Sequence, residues 1–377
     1  MDMTVPARAR VSGQPWIHSA RVDLLFILGP AFAVTLAVLL LQPMLAGTDG
    51  EPPWVWLALI VGVDVTHVYS TLFRTYLDRA EMEQRHAVYM LAPLLAWVAG
   101  CLLYSFGGMV FWRALAYLAV FHFVRQQYGF MMLYGRREGT AYPRAWKTLD
   151  KLAIYAATLY PLVYWHCTPR NFNWFVDGDL LQFDSARAAA VATALYGAIL
   201  AGYAVKEALL WRRTRRFNWP RNLMLAGTAV SWLAGIVIFD NDLAFTAINV
   251  ISHGVPYLAL IWIYGSNQAA WQGGRTTHYF AWIGGLFRAR WLPAYLGVLF
   301  LCAYLEEMLW DGLVWREHAS VLFMANALHA VQSASTLTWL VPLLAVPQVT
   351  HYLLDAYIWR MRQPGADWRR ILFLRAG

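Results

Sequence analysis

The chain has 377 residues, of which 59% are hydrophobic and only 14% are charged. A soluble domain carries nearer a quarter charged residues, so this chain lacks the polar surface that one water-soluble core needs. Disorder and a coiled coil are excluded by the same composition. The sequence therefore predicts an all-α, polytopic membrane helix bundle.

Charge and cysteine content exclude two further classes. Three cysteines are too few for a disulfide framework. The formal net charge of +8 comes from 30 basic and 22 acidic residues, and in a membrane protein such basic residues are typical loop anchors. No nucleic-acid-binding motif is present, so nucleic acid is not an expected partner.

Ten stretches of the chain are long and apolar enough to be predicted as membrane spans, which need about 20 mostly apolar residues. In chain order they are Leu24–Leu45, Val55–Leu77, Val88–Phe106, Val110–Tyr134, Leu152–Cys167, Ala188–Trp211, Leu223–Phe239, Leu243–Tyr264, Leu292–Trp310 and Leu337–Trp359. The tenth contains Pro342 and Pro347, which neighbouring helices can accommodate. The shorter apolar stretch Ser320–Gln332 is predicted to be an interfacial or re-entrant helix.

Basic residues predict the orientation of these spans. Lys and Arg residues near the end of a span are counted with the adjacent loop. On this count, 25 of them fall on the side of the two termini and 4 on the other side. Because cytoplasmic loops carry the excess of basic residues, both termini are expected in the cytoplasm, in a bacterial inner membrane. We expect a cytoplasmic segment over 1–23, a single transmembrane domain over 24–359 and a basic cytoplasmic tail over 360–377.

Four histidines lie inside predicted spans, where an ionisable residue is costly and indicates a functional site. They are His67, His122, His253 and His351. All four lie on even-numbered spans, 10 to 14 residues from the predicted outer end, which corresponds to depths of roughly 15 to 21 Å. The sequence thus predicts that four imidazoles share one level in the bilayer and converge on one site.

Polar residues three or four positions away on the same helix face accompany each histidine. The companions are Asp64, Arg125, Asn249, Tyr257, Gln348 and Asp355. We expect catalytic roles for Asp64, Arg125 and Asp355, with Arg125 orienting a carboxylate or a polar headgroup. Asn249, Tyr257 and Gln348 are expected to support the imidazoles through their second ring nitrogens. Glu306 and Glu307, by contrast, are expected near the outer end of their span, in contact with water.

Imidazoles in an apolar shell suit iron, copper or zinc, and nearby carboxylates favour iron or zinc. The four histidines are therefore predicted to bind a transition metal, with iron preferred. The leading hypothesis is a membrane-bound oxidoreductase, a non-haem iron oxygenase acting on a lipid, fatty-acyl or isoprenoid substrate within the bilayer. Its expected partners are membrane lipids and a hydrophobic small molecule.

Two alternatives use the same histidines. A zinc ion with a bound water would hydrolyse a lipid ester or amide. A transporter could relay protons through these side chains, or they could serve as haem ligands. In arrangement only, single histidines on separate helices resemble the bacterial membrane enzymes that cleave carotene to retinal, and no residue role is taken from that likeness.

Overall fold

The structure is a computed structural model that describes residues 13–45, 51–138, 142–271, 278–359 and 368–374. Within these ranges the chain is helical and forms no strand, apart from one isolated bridge between Asp78 and His278. The all-α fold class is thereby confirmed. Much of the predicted terminal segments, at 1–12, 360–367 and 375–377, lies outside the described residues.

Most helices follow one another with short connections, and longer ones separate Cys167 from Ala186 and Trp315 from Ala334. The first six are α1 (Ala20–Asp23, a π-helical turn at Leu24–Leu28, then Gly29–Leu45), α2 (Pro53–Trp56, π-helical Leu57–Val65, Thr66–Arg74), α3 (Arg79–Ser105), α4 (Gly108–Tyr134), α5 (Arg144–Cys167) and α6 (Ala186–Thr214). The others are α7 (Trp219–Trp232 with π-helical Leu233–Ile238), α8 (Asp242–Trp271), α9 (Ala281–Leu286), α10 (Leu292–Trp310 with π-helical Asp311–Trp315), α11 (Ala334–Leu344), α12 (Val346–Ile358) and α13 (Trp368–Leu372).

Seven of these helices are long and apolar enough to cross a membrane, namely α1, α2, α3, α6, α7, α8 and α10. The pair α11 and α12 raises the number to eight if the two form one bent span. The predicted count of ten is not confirmed. The helices α4 and α5 are long but contain polar side chains such as Gln126, Gln127 and Asp150, which lower their apolar character.

The tenth predicted span is broken rather than continuous. Its two helices meet at an angle of 40° around Ala345. The break lies beside Pro347, near the start of α12. Proline lacks the N–H for an intrahelical hydrogen bond, and its ring clashes with the carbonyl four residues earlier, so a helix bends or restarts there.

The prediction of an interfacial helix over Ser320–Gln332 is wrong. This stretch consists of turns and one short 3₁₀ segment, Ala325–Ala327. The guanidinium of Arg316 donates hydrogen bonds to the carbonyls of Ala325 and Leu328, at 3.1 and 2.6 Å. These side-chain contacts satisfy backbone groups that a helix would otherwise pair internally.

The outward faces of the bundle are apolar. Leu25, Leu40, Leu95 and Leu195 are each more than half exposed, on α1, α3 and α6. Polar and aromatic side chains concentrate instead where α2, α4, α8 and α12 pack around a common centre. Apolar exterior and polar interior are the reverse of a soluble protein and are expected of helices that face lipid.

Candidate metal centre

The four histidines predicted from the sequence do converge. One ring nitrogen from each of His67, His122, His253 and His351 lies within 4.8 Å of the other three. We call this group the histidine tetrad. Its members are at most 4% exposed and come from α2, α4, α8 and α12. The centre therefore assembles from four helices that are far apart in the sequence.

The spacing of the tetrad suits a single ion. The Nε2 atoms of His67 and His253 are 3.1 Å apart, and those of His122 and His351 are 3.2 Å apart. Nitrogens placed tetrahedrally at the usual 2.0–2.1 Å from a metal would be separated by about 3.3–3.4 Å. Only small movements would bring four lone pairs onto one ion. A haem fits poorly, because its macrocycle fills four iron positions and leaves two for histidine.

Local backbone features place His67 and His253 in contact. The π-helical segment Leu57–Val65 ends two residues before His67, and π-helical turns are frequent at functional sites. On the facing helix, a Cβ at Gly254 would approach the Val63 side chain to 2.7 Å and its carbonyl oxygen to 3.3 Å. Glycine therefore permits α8 to pack closely on α2, which brings the two imidazoles together.

A chain of hydrogen bonds orients His351. Its Nδ1 lies 2.7 Å from the Thr71 hydroxyl, which lies 2.9 Å from the Tyr257 hydroxyl. Tyr257 in turn donates to the carboxylate of Asp355. An ionised carboxylate only accepts, so the protons are ordered from Nδ1 through Thr71 and Tyr257 toward Asp355. This order leaves the Nε2 lone pair of His351 free to bind a metal.

The other three imidazoles have different surroundings. His67 Nδ1 lies 3.5 Å from a carboxylate oxygen of Asp64, and His122 Nδ1 lies 3.9 Å from one of Asp355. The ring of His253 stacks on Phe123 with centroids 3.5 Å apart and an interplanar angle of 7°. A carboxylate or an aromatic face thus lies beside each ring, although Nδ1 of His67 and Nδ1 of His253 have no hydrogen-bond partner among the described residues.

The structure brings most of the predicted companions to the tetrad, though several lie beside a different histidine. Asp355, expected beside His351, is near His122 instead, and Tyr257 joins Thr71 and Asp355. Asn249 donates to the carbonyl of Phe245, four residues earlier on α8. Gln348 and Asn249 both face a cavity beside the tetrad.

Arg125 does not turn toward the tetrad. Its side chain is exposed and donates to the Tyr155 hydroxyl at 2.8 Å, with the guanidinium 5.1 Å from the ring centre of Tyr128. Its neighbour Gln126 points inward instead and donates to the carbonyl of His253 at 2.9 Å. The sequence interpretation missed Gln126, and also Thr71, although Thr71 follows His67 by four residues and so shares its helix face.

A cavity of about 620 Å³, which we call the acidic cavity, is lined by Asp64, Phe123 and Tyr352. These residues neighbour His67, His253 and His122, and no histidine of the tetrad lines the cavity itself. Seven carboxylates line it: Glu51, Asp64, Asp177, Asp242, Glu306, Glu307 and Glu317. Among its described lining residues there is no Lys or Arg. Glu306 and Glu307, expected near the outer end of their span in contact with water, line this cavity together with Asp64 and the loop residues Asp177 and Glu317. The sequence signal for these two residues is a pair of adjacent carboxylates inside a predicted span.

A second cavity, of about 710 Å³, reaches the tetrad at His122, and we call it the lateral cavity. Tyr257 and Asp355 line it as well. Its walls are mainly apolar and aromatic, including Phe121, Phe130, Met132, Leu133, Leu260 and Trp359. The lateral cavity thus contacts the tetrad directly, whereas the acidic cavity approaches it through neighbouring side chains.

Comparison with known protein families, with curated proteins and with solved structures finds no match to this chain.

Proposed function

We propose that the chain is an integral membrane metalloenzyme of oxidative type, with iron held by His67, His122, His253 and His351. The observation that carries the proposal is the convergence of four buried imidazole nitrogens within 4.8 Å of one another. The Nε2 atoms face one another in two pairs, at 3.1 and 3.2 Å, and a cation at their centre would accept all four lone pairs. Bound iron would supply the dioxygen activation that oxidation of a hydrocarbon requires.

The number of histidines favours iron over catalytic zinc. Catalytic zinc sites use three protein ligands and keep a fourth position open, whereas four ligands close a tetrahedral zinc site. Iron accepts up to six ligands, so four imidazoles leave positions for reactants. Zinc-dependent hydrolysis of a lipid is therefore the less favoured function of this centre.

The protein contributes positioning and solvent exclusion. Hydrogen bonds connect His351 to Asp355 through Thr71 and Tyr257, and they fix the orientation of the His351 imidazole ring. The acidic cavity gathers seven carboxyl side chains, whose ionised forms attract a cation. The apolar lateral cavity suits a hydrophobic substrate that partitions into the bilayer, such as a lipid, fatty-acyl or isoprenoid compound.

The proposal places the protein in a bacterial inner membrane, with both termini in the cytoplasm. The apolar helices and the uneven distribution of Lys and Arg among the loops support this arrangement.

Metal analysis coupled to oxygen uptake tests the proposal. Purified protein should contain iron near one ion per chain, and an oxygen electrode should record uptake when a fatty acid, a phospholipid or a carotenoid is supplied as substrate. His351→Ala should lose both metal and uptake. If the protein contains zinc and releases acid from the phospholipid, hydrolysis replaces oxidation as the proposed function. If the protein binds no metal, transport is favoured.

A further inference from the structure

The lateral cavity contains a single cationic side chain at the edge of a largely apolar chamber. Arg125 is the one Lys or Arg among its described lining residues. No carboxylate of the described chain lies within 4.0 Å of its guanidinium, whose hydrogen-bond partner is the neutral Tyr155 hydroxyl. The guanidinium is exposed and lines this cavity, so its remaining N–H donors are accessible to an anionic ligand.

From this geometry we infer that the lateral cavity binds a single-chain hydrocarbon ending in a carboxylate, with the carboxylate on Arg125. The inference rests on the proposed function, because it names the substrate class of the same centre. A guanidinium offers a planar fork of donors that matches a carboxylate in a bidentate pair. Tyr155 takes one of its five N–H groups, so a pair of donors remains available for such a ligand.

The charge of the cavity favours a monoanion. Arg125 supplies one positive charge, and the carboxylate of Asp355 lies in the same cavity. Asp355 makes no ion pair with Arg125 and accepts from Tyr257 instead, so Arg125 remains able to pair with one ligand carboxylate, whereas a phosphate monoester, with nearly two negative charges, would lack a second cation here. The volume of about 710 Å³ lies within the range of roughly 300–1,000 Å³ that is usual for sites holding one small molecule.

Position along α4 orients the ligand. Arg125 follows His122 by three residues, which is about 4.5 Å of helix rise. Phe130, Met132 and Leu133 lie further along the same helix, away from His122, and line the cavity. The carboxylate end is therefore placed nearest the histidine tetrad, and the hydrocarbon extends along the apolar wall toward the end of α4.

Equilibrium binding to the purified, metal-loaded protein in detergent tests this inference. The probes are oleate, oleyl alcohol and phosphatidylglycerol, a two-chain lipid whose phosphodiester also carries one negative charge. Oleate should bind at least tenfold more tightly than oleyl alcohol and should not be displaced by phosphatidylglycerol. Equal binding of acid and alcohol, or displacement by the phospholipid, would overturn the inference.

Arg125→Gln should weaken oleate binding about tenfold to a hundredfold, the loss expected for a charge-assisted hydrogen-bonded pair. Arg125→Lys should recover only part of it, because an ammonium lacks the planar fork. The matched control is Arg113→Gln, since Arg113 is a half-buried arginine on the same helix α4, outside the lateral cavity, and donates to the carbonyl of Gly178. An equal loss in the control would indicate a general charge effect and overturn the inference.

Metal content separates this inference from the proposed function. Arg125→Gln should retain the metal of the wild type, since Arg125 lies outside the tetrad. Oleate binding that depends on Arg125 in a protein without metal would refute the proposed function and leave the binding site standing. Metal-loaded protein that does not discriminate oleate would refute the binding site alone.

Discussion

Two buried polar groups of this bundle differ in how they are neutralised. Lys206 and Arg221, at most 2% exposed, contact the carboxylates of Asp150, Glu207 and Glu138. Every charge in that group, which we call the ionic cluster, has an opposite charge beside it. The histidine tetrad instead brings together four side chains of one type. The ionic cluster contains its own counter-charges, whereas the proposed function requires the tetrad to take up a metal ion from outside.

The comparison predicts opposite consequences of mutation. Removing one member of the ionic cluster should cost stability and leave the metal in place. Removing one member of the tetrad should cost the metal.

The largest expected effect is that of Arg221→Met in the ionic cluster. Its guanidinium donates to Glu138 at 2.8 Å and to Glu207 at 2.5 Å, so the substitution leaves buried carboxylates without their partner. Breaking a buried ion pair in this way costs about 3–5 kcal/mol of unfolding free energy. Denaturant unfolding in detergent measures the loss.

The control for that experiment is Arg213→Met, an exposed position where the expected change is small. Metal per folded chain should remain that of the wild type in both variants. Loss of metal from folded Arg221→Met protein would show that the ionic cluster and the tetrad are not independent.

Single His→Ala substitutions in the tetrad come next. Loss of a direct ligand should exceed the 10–100-fold loss of affinity that follows removal of a ligand's own hydrogen-bond partner. We expect each variant to lose stoichiometric metal, as measured by elemental analysis. His166→Ala is the matched control, because His166 bonds Tyr117 and the carbonyl of Leu162, away from the tetrad. Retained metal in two or more tetrad variants would contradict a shared centre.

The location of the tetrad was predictable because hydropathy sets depth. Once spans are placed, 1.5 Å of rise per residue gives each histidine a level, and side chains at one level on neighbouring helices can meet. The span count of ten, which is not confirmed, does not affect this prediction, because the four helices that hold the tetrad were identified. The polar faces of α4 and α5 lie in the interior of the bundle. Hydropathy reflects composition alone and does not show which residues these faces contact.

Cross-helix pairing was not predictable from spacing. The rule of three or four residues reports neighbours on one helix, so it assigned Asp355 to His351, whereas the structure places Asp355 near His122. Arg125 shows the same limit. At 100° per residue it is turned 60° from His122, enough to face outward, while Gln126 is turned 40° to the other side and faces His253.

Added metal should stabilise the folded protein if the tetrad is the part that lacks a partner. A ligand that binds only the native state at 100 times its dissociation constant raises the unfolding free energy by about 2.7 kcal/mol. Thermal unfolding of chelator-treated protein, with and without Fe²⁺ under anaerobic conditions, measures this shift. His122→Ala should show none of it, and an equal shift in that variant would indicate binding elsewhere.

The smallest expected effect concerns the hydroxyl that holds His351. Thr71→Val keeps the shape of the side chain and removes the contacts to His351 Nδ1 and Tyr257. Metal affinity should fall about 10–100-fold, the usual result of losing a hydrogen bond to a ligating histidine. Thr75→Val is the control one turn further along α2, because the Thr75 hydroxyl bonds only the Thr71 carbonyl. Equal affinity losses in both variants would mean that packing of α2, rather than orientation of the imidazole, controls the centre.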